Sequence, residues 1–199
     1  MFTLDPSLPA EIGPISWLIG VWEGSGVIDY KVGEEHRSAE FGQRISFSND
    51  GLGYLNYSSF TWLLGTDAPS PLAAETGYWR IARPLGDGDA GPGMLPPTAA
   101  RPYQTAESVE TLRNASGAFE LEVSIVHPDG VSEIYLGEAN GPRIDLATDA
   151  VVRTAGAKEY TAATRLYGLV EGHLLWAWDM AALGQELRSH ASARLARAE

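Results

Sequence analysis

From Gly20 onward the chain is a succession of short segments rich in Val, Ile, Tyr, Trp and Thr, separated by residues that favour turns. The predicted strands are 21–30, 39–48, 54–64, 75–82, 119–126, 132–139, 143–148, 160–170, 173–181 and 186–195. The clearest turns are Asn49-Asp50-Gly51, Pro128-Asp129-Gly130, Asn140-Gly141-Pro142 and Glu171-Gly172. Strands joined mostly by tight turns make a meander, and a meander this long protects its edges best by closing on itself. The expected fold is all-β, a ten-stranded antiparallel up-and-down barrel whose interior is large enough for one ligand.

Two stretches fall outside that pattern. Residues 5–19 carry Leu8, Ile12, Ile15 and Leu18 at helical spacing, with Asp5 and Pro6 placed as cap and first helical residue. Pro14 argues for one or two short turns rather than one longer helix. Between the fourth and fifth strands lies a segment rich in proline and glycine, set at 83–108 as a loop insertion. Loops of that length are functional or mobile, and here a mobile surface excursion is preferred to a lid. A chain of 199 residues otherwise suits one domain spanning 1–199.

Composition removes several classes of function. With no cysteine, disulfides, zinc-thiolate clusters, thiolate-ligated haem and thioether-attached haem are all excluded. The 26 acidic residues against 14 basic ones speak against nucleic acid or an anionic membrane as partner. No apolar run approaches a membrane span, and Met1 to Glu11 lacks the basic lead of a signal peptide, so a cytoplasmic location is expected.

The first strand opens with Gly20-Val21-Trp22-Glu23-Gly24-Ser25-Gly26, of the form GxWxGxG. A large indole there can plug one end of a barrel, and Gly20, Gly24 and Gly26 allow sharp bending and close backbone approach. Lipocalins and fatty-acid-binding proteins open similarly. Five further stretches join it, beginning with Trp17-Leu18-Ile19-Gly20, Ala74-Glu75-Thr76-Gly77-Tyr78-Trp79-Arg80, Val126-His127-Pro128-Asp129-Gly130 and Ala157-Lys158-Glu159-Tyr160-Thr161-Ala162. The last is Gly184-Gln185-Glu186-Leu187-Arg188-Ser189-His190-Ala191-Ser192-Ala193-Arg194-Leu195. In order and spacing these resemble the nitrobindins, over residues 17–197 apart from the proline-rich loop.

That resemblance implies a barrel that holds one non-covalent ferric haem b per chain, isomerises peroxynitrite to nitrate and binds nitric oxide. It implies His190 as axial ligand and catalytic centre, Lys158 beside a haem propionate and Met180 in the pocket wall. A homodimer is compatible with it. Some nitrobindins carry a histidine just before the Ala-Glu-(Ser/Thr)-Gly run, where this chain has Ala73. Ala73 and the long loop are the two features expected to alter access to haem.

Strand alternation alone gives a different view of His190, setting it on the face of Arg188, Ser192 and Arg194, toward water. His36, His127 and His173 read as turn or surface residues, and no pair of histidines has metal-ligand spacing. Glu120 and Glu122 alternate as a solvated face would. The rival to a haem enzyme is a haem-free barrel that binds a small apolar ligand as fatty-acid-binding proteins do.

Overall fold

Apolar residues alternate with exposed ones along strands such as β5, where Phe119, Leu121, Val123 and Ile125 are buried, so these strands bury one face against a common interior. The computed structural model describes residues 8–65, 68 and 70–198, the side chain of Val32 excepted. Its strands are β1 (Gly20–Val32), β2 (Glu35–Ser48), β3 (Leu55–Leu63), β4 (Ser70–Ile81), β5 (Phe119–Val126), β6 (Val131–Asn140), β7 (Arg143–Arg153), β8 (Tyr160–Val170), β9 (His173–Ala182) and β10 (Arg188–Arg197). Each pairs antiparallel with the next, and β1 pairs with β10 from Trp22 opposite Arg197 to Ile28 opposite Ala191, closing the barrel.

All ten predicted strands are present, several of them longer than expected. The β1–β2 ladder continues to Val32 opposite Glu35, through exposed residues such as Lys31 and Arg37 that carry no apolar alternation to mark them. His36 therefore lies on a strand rather than in a loop, its exposed ring 2.8 Å from Asp29. Closure at the seam depends on missing side chains: a Cβ at Gly24 would sit 2.4 Å from the Arg194 carbonyl, and one at Gly26 2.3 Å from that of Ser192.

Antiparallel order divides the connections between two ends. Residues 33–34, 64–65, 68, 127–130, 154–159 and 183–187 lie at one end, which we term the mouth. The other end is plugged by a 3₁₀ helix, Ala10–Leu18, in which Ile12, Ile15 and Leu18 are fully buried. It runs continuously through Pro14 instead of forming one or two short turns; the proposed cap at Asp5 and Pro6 lies outside the described residues. Trp22 packs above it and donates from Nε1 to the Leu18 carbonyl at 2.7 Å. Phe47, Trp79 and Tyr167 stack edge to face beyond, ring centroids 5.3 and 5.1 Å apart.

The proline-rich connection also belongs to the plugged end. Arg83, buried there, pairs with Glu11 of the 3₁₀ helix and, at 2.6 Å, with Asp89, while Arg101 donates to the Gly51 carbonyl at 2.9 Å. The segment is interrupted by α1 (Ala106–Glu110), started by a reciprocal Thr105–Ser108 cap and packed against the 3₁₀ helix. These ties anchor the segment at Arg83 and Arg101 to the plugged end. Since the segment lies opposite the mouth, it does not bear on access there.

Candidate functional site

Toward the mouth the aromatic packing gives way to a cavity of about 420 Å³, within the range of small-ligand sites. Its wall is apolar and aromatic from Ile28, Tyr30, Phe41, Trp176 and Trp178, with a polar floor from Gln43, Ser59, Glu75, Arg165 and Tyr167. Gln43 donates to Ser59 at 2.9 Å and accepts from Trp176 Nε1 at 2.7 Å, so this part of the floor is self-satisfied.

His190 lies in that wall, against the direction that alternation gives it. Ser189 pairs with Asp179 and Ala191 with Trp178, leaving His190 as the extra residue of a β-bulge. Ala191, Ala193 and Leu195 keep their inward places, and the bulge adds His190 to the same side. Its ring lies between those of Tyr30, 4.9 Å away, and Trp178, 5.4 Å away and nearly perpendicular. No hydrogen bond engages its nitrogens among the described residues, and burial pushes its pKa below the ordinary value. A neutral imidazole with a free ring nitrogen in an aromatic slot is what an axial ligand of haem requires.

The other predicted cofactor contacts gather round it. Met180, two residues along β9 from Trp178, lines one small pocket with His190 and an adjoining one with Lys158. Lys158, exposed in the β7–β8 connection, borders the main cavity as well, and its ammonium makes no ion pair among the described residues. Ala73 is at the cavity's edge too. Gly20, Trp22, Gly24 and Gly26 are not: they form the seam and the plug.

A buried polar cluster was not foreseen. The Arg165 guanidinium is gripped at both ends by Glu75, at 2.8 and 2.9 Å, donates from Nε to the Tyr135 hydroxyl at 3.0 Å, and lies 4.4 Å from the centre of the Trp178 ring. Burial would raise the Glu75 pKa, but the Arg165 charge and hydrogen bonds outweigh it and hold it at about 2. Fully buried Glu133 accepts from Tyr135 at 2.5 Å and from Tyr160. It also bonds His127 Nε2 at 2.6 Å, so His127 opens the β5–β6 turn as expected but turns its ring into the cavity wall rather than to the surface. Burial opposes its charge, yet the bond to Glu133 and the charges of Glu75 and Glu133 raise its pKa. A signal existed: Glu133 and Arg165 occupy inward positions between Val131 and Tyr135 and between Ala163 and Tyr167.

A closed antiparallel barrel with an aromatic cavity at its mouth defines a ligand-binding β-barrel. The chain belongs to the nitrobindins, its residues 11–197 matching the family described as THAP4-like, heme-binding beta-barrel domain. It is 70% identical to a peroxynitrite isomerase of Leifsonia xyli subsp. xyli over 100% of both chains. It is 64% identical to one of Clavibacter michiganensis subsp. michiganensis (98% of each chain) and 52% to one of Kocuria rhizophila (98% of this chain, 95% of that one). Among solved structures it resembles that of Rv2717c from M. tuberculosis, with TM-score 0.69 and 26% identity over 96% of this chain and 99% of the other.

Proposed function

We propose that this protein is a haem-dependent peroxynitrite isomerase, acting in the cytoplasm on one ferric haem b held through His190. The observation that carries the reading is the bulged His190, whose imidazole is unbonded among the described residues and lies between Tyr30 and Trp178, where burial disfavours its charged form. Lys158 would pair with a propionate at the rim, and Met180 would pack on the porphyrin without competing as an imidazole would. Bound there, haem would supply the redox chemistry that converts peroxynitrite to nitrate, and its ferrous form a site for nitric oxide. The chain's own part is to fix the imidazole, wall the pocket with apolar rings and keep competing reactants out.

The rival, a fatty-acid-binding barrel, is disfavoured by the floor. The cation deep in the cavity, Arg165, already holds Glu75 with both terminal nitrogens and cannot receive a fatty-acid carboxylate without leaving Glu75 buried and unpaired.

Hemin titration tests the haem assignment. Wild type should develop a Soret band that His190→Ala loses, while His36→Ala and His173→Ala keep it. Lys158→Ala should weaken uptake only a few-fold, as a rim ion pair contributes about 0.2–1 kcal/mol. Stopped-flow decay of peroxynitrite should be accelerated by holo-protein and not by apo-protein. Superimposed traces would sink the enzyme reading.

A further inference from the structure

Four charged or chargeable groups meet beneath Trp178: Glu75 from β4, Glu133 from β6, Arg165 from β8 and His127 from the β5–β6 turn. Arg165 is committed to Glu75, Tyr135 and Tyr167, with a Glu133 oxygen 3.5 Å from Nη2. Glu133 is saturated by His127, Tyr135 and Tyr160. His127 Nδ1 is different: its nearest charged neighbour is Glu75 at 3.8 Å, beyond hydrogen-bond distance, and the ring lines both the main cavity and the pocket shared by Lys158 and Met180. The two imidazoles are also joined through one indole, with Trp178 having His190 at 5.4 Å and His127 at 6.4 Å between ring centroids.

We propose that His127 is the anion-recognising residue of this cavity: Glu133 holds its Nε2–H, and the protonated ring presents Nδ1–H to a small anion entering the cavity that His190 also lines. The inference rests on the haem reading above and names the group that receives the anionic substrate. Ala73, at the edge of the same cavity, offers no imidazole, so the donor comes from a different hairpin.

Charge supports the assignment. With His127 protonated, Glu75 and Glu133 are balanced by Arg165 and His127, and an incoming anion meets a neutral cluster with one free donor. With His127 neutral, the cluster carries one net negative charge, and Nδ1, now a lone pair, repels an anion. The other charged groups lining the smaller pocket are Asp129 on the same turn and Lys158 and Glu159 from the β7–β8 connection, all exposed and more strongly screened. Glu75 and Glu133 raise the His127 pKa, so the protonated form persists above pH 6.5 and is lost as pH rises through the raised value.

The test measures azide binding to ferric holo-protein by the shift of its Soret band, from about pH 6 to about pH 9, for wild type and His127→Gln. Hemin uptake is titrated in both first, so that azide affinity is read only from fully loaded protein. Wild type should bind azide about tenfold more tightly than His127→Gln at low pH, the gain expected of a charge-assisted hydrogen bond, and the advantage should vanish at high pH. Taking the ratio of the two proteins cancels pH effects that do not belong to His127. Should His127→Gln fail to fold, Glu133→Gln keeps the imidazole but withdraws the anion behind it, and should move the midpoint of the azide profile to lower pH. A normal Soret band with azide affinity indifferent to both substitutions overturns this proposal alone. Failure of the wild type to take up hemin overturns it together with the haem reading.

Discussion

Arg165 keeps its charge inside the barrel because Glu75 meets it with both carboxylate oxygens. Removing only the cation strands a carboxylate, so Arg165→Leu should lower the unfolding free energy by about 3–5 kcal/mol. Adding Glu75→Leu should restore much of that loss, as measured by urea denaturation. The same pair sets a pH dependence. Glu75 is held at about 2, below its ordinary 4.5, so its contribution is complete above pH 4.5 and is lost as pH falls toward 2. The denaturation midpoint of wild type should drop over that interval more than that of the double variant. None of this pairing was legible beforehand. Glu75 stood in a recognisable stretch and Arg165 between apolar neighbours, but their meeting, 90 positions apart, is decided by which strands face each other across the interior. His127 was hidden for a related reason: Pro128-Asp129-Gly130 marks a turn, and what the residue before a turn faces depends on its neighbours, here Glu133 on the returning strand.

The strands themselves were legible because alternation is a local signal: Phe119, Leu121, Val123 and Ile125 point inward in a row, and no distant residue is needed to see it. The bulge in β10 was not. It comes from a one-residue mismatch between β10 and β9, and the sequence of β10 read alone continues its alternation through His190. Deleting Ser189 should remove the mismatch, place His190 opposite Asp179 and turn its ring to solvent. The far-ultraviolet circular dichroism of that variant should match wild type, while its hemin affinity falls to that of His190→Ala. Retained affinity would mean that the bulge does not aim the ligand.

On the scale of the whole barrel, the two ends do separate work: Arg83, Glu11 and Asp89 tie the long connection over the plug, and His190, Lys158 and Met180 gather at the mouth. Replacing residues 90–97 by two glycines should therefore leave hemin affinity within about twofold, since those residues touch no part of the mouth, whereas a lid would change it. The β1–β10 seam has a further consequence, for the order of folding. Nine of the ten strand pairings join neighbours in sequence, while the tenth brings Ile28 to Ala191. Hairpins of short range form quickly and a closure of long range forms late. Tyr30 comes from one side of that last joint and His190 from the other, so the slot around the His190 ring exists only once the ring of strands is shut. With His190 as the proposed ligand, haem would be captured only by a finished barrel, and nascent or half-assembled chains would escape premature loading.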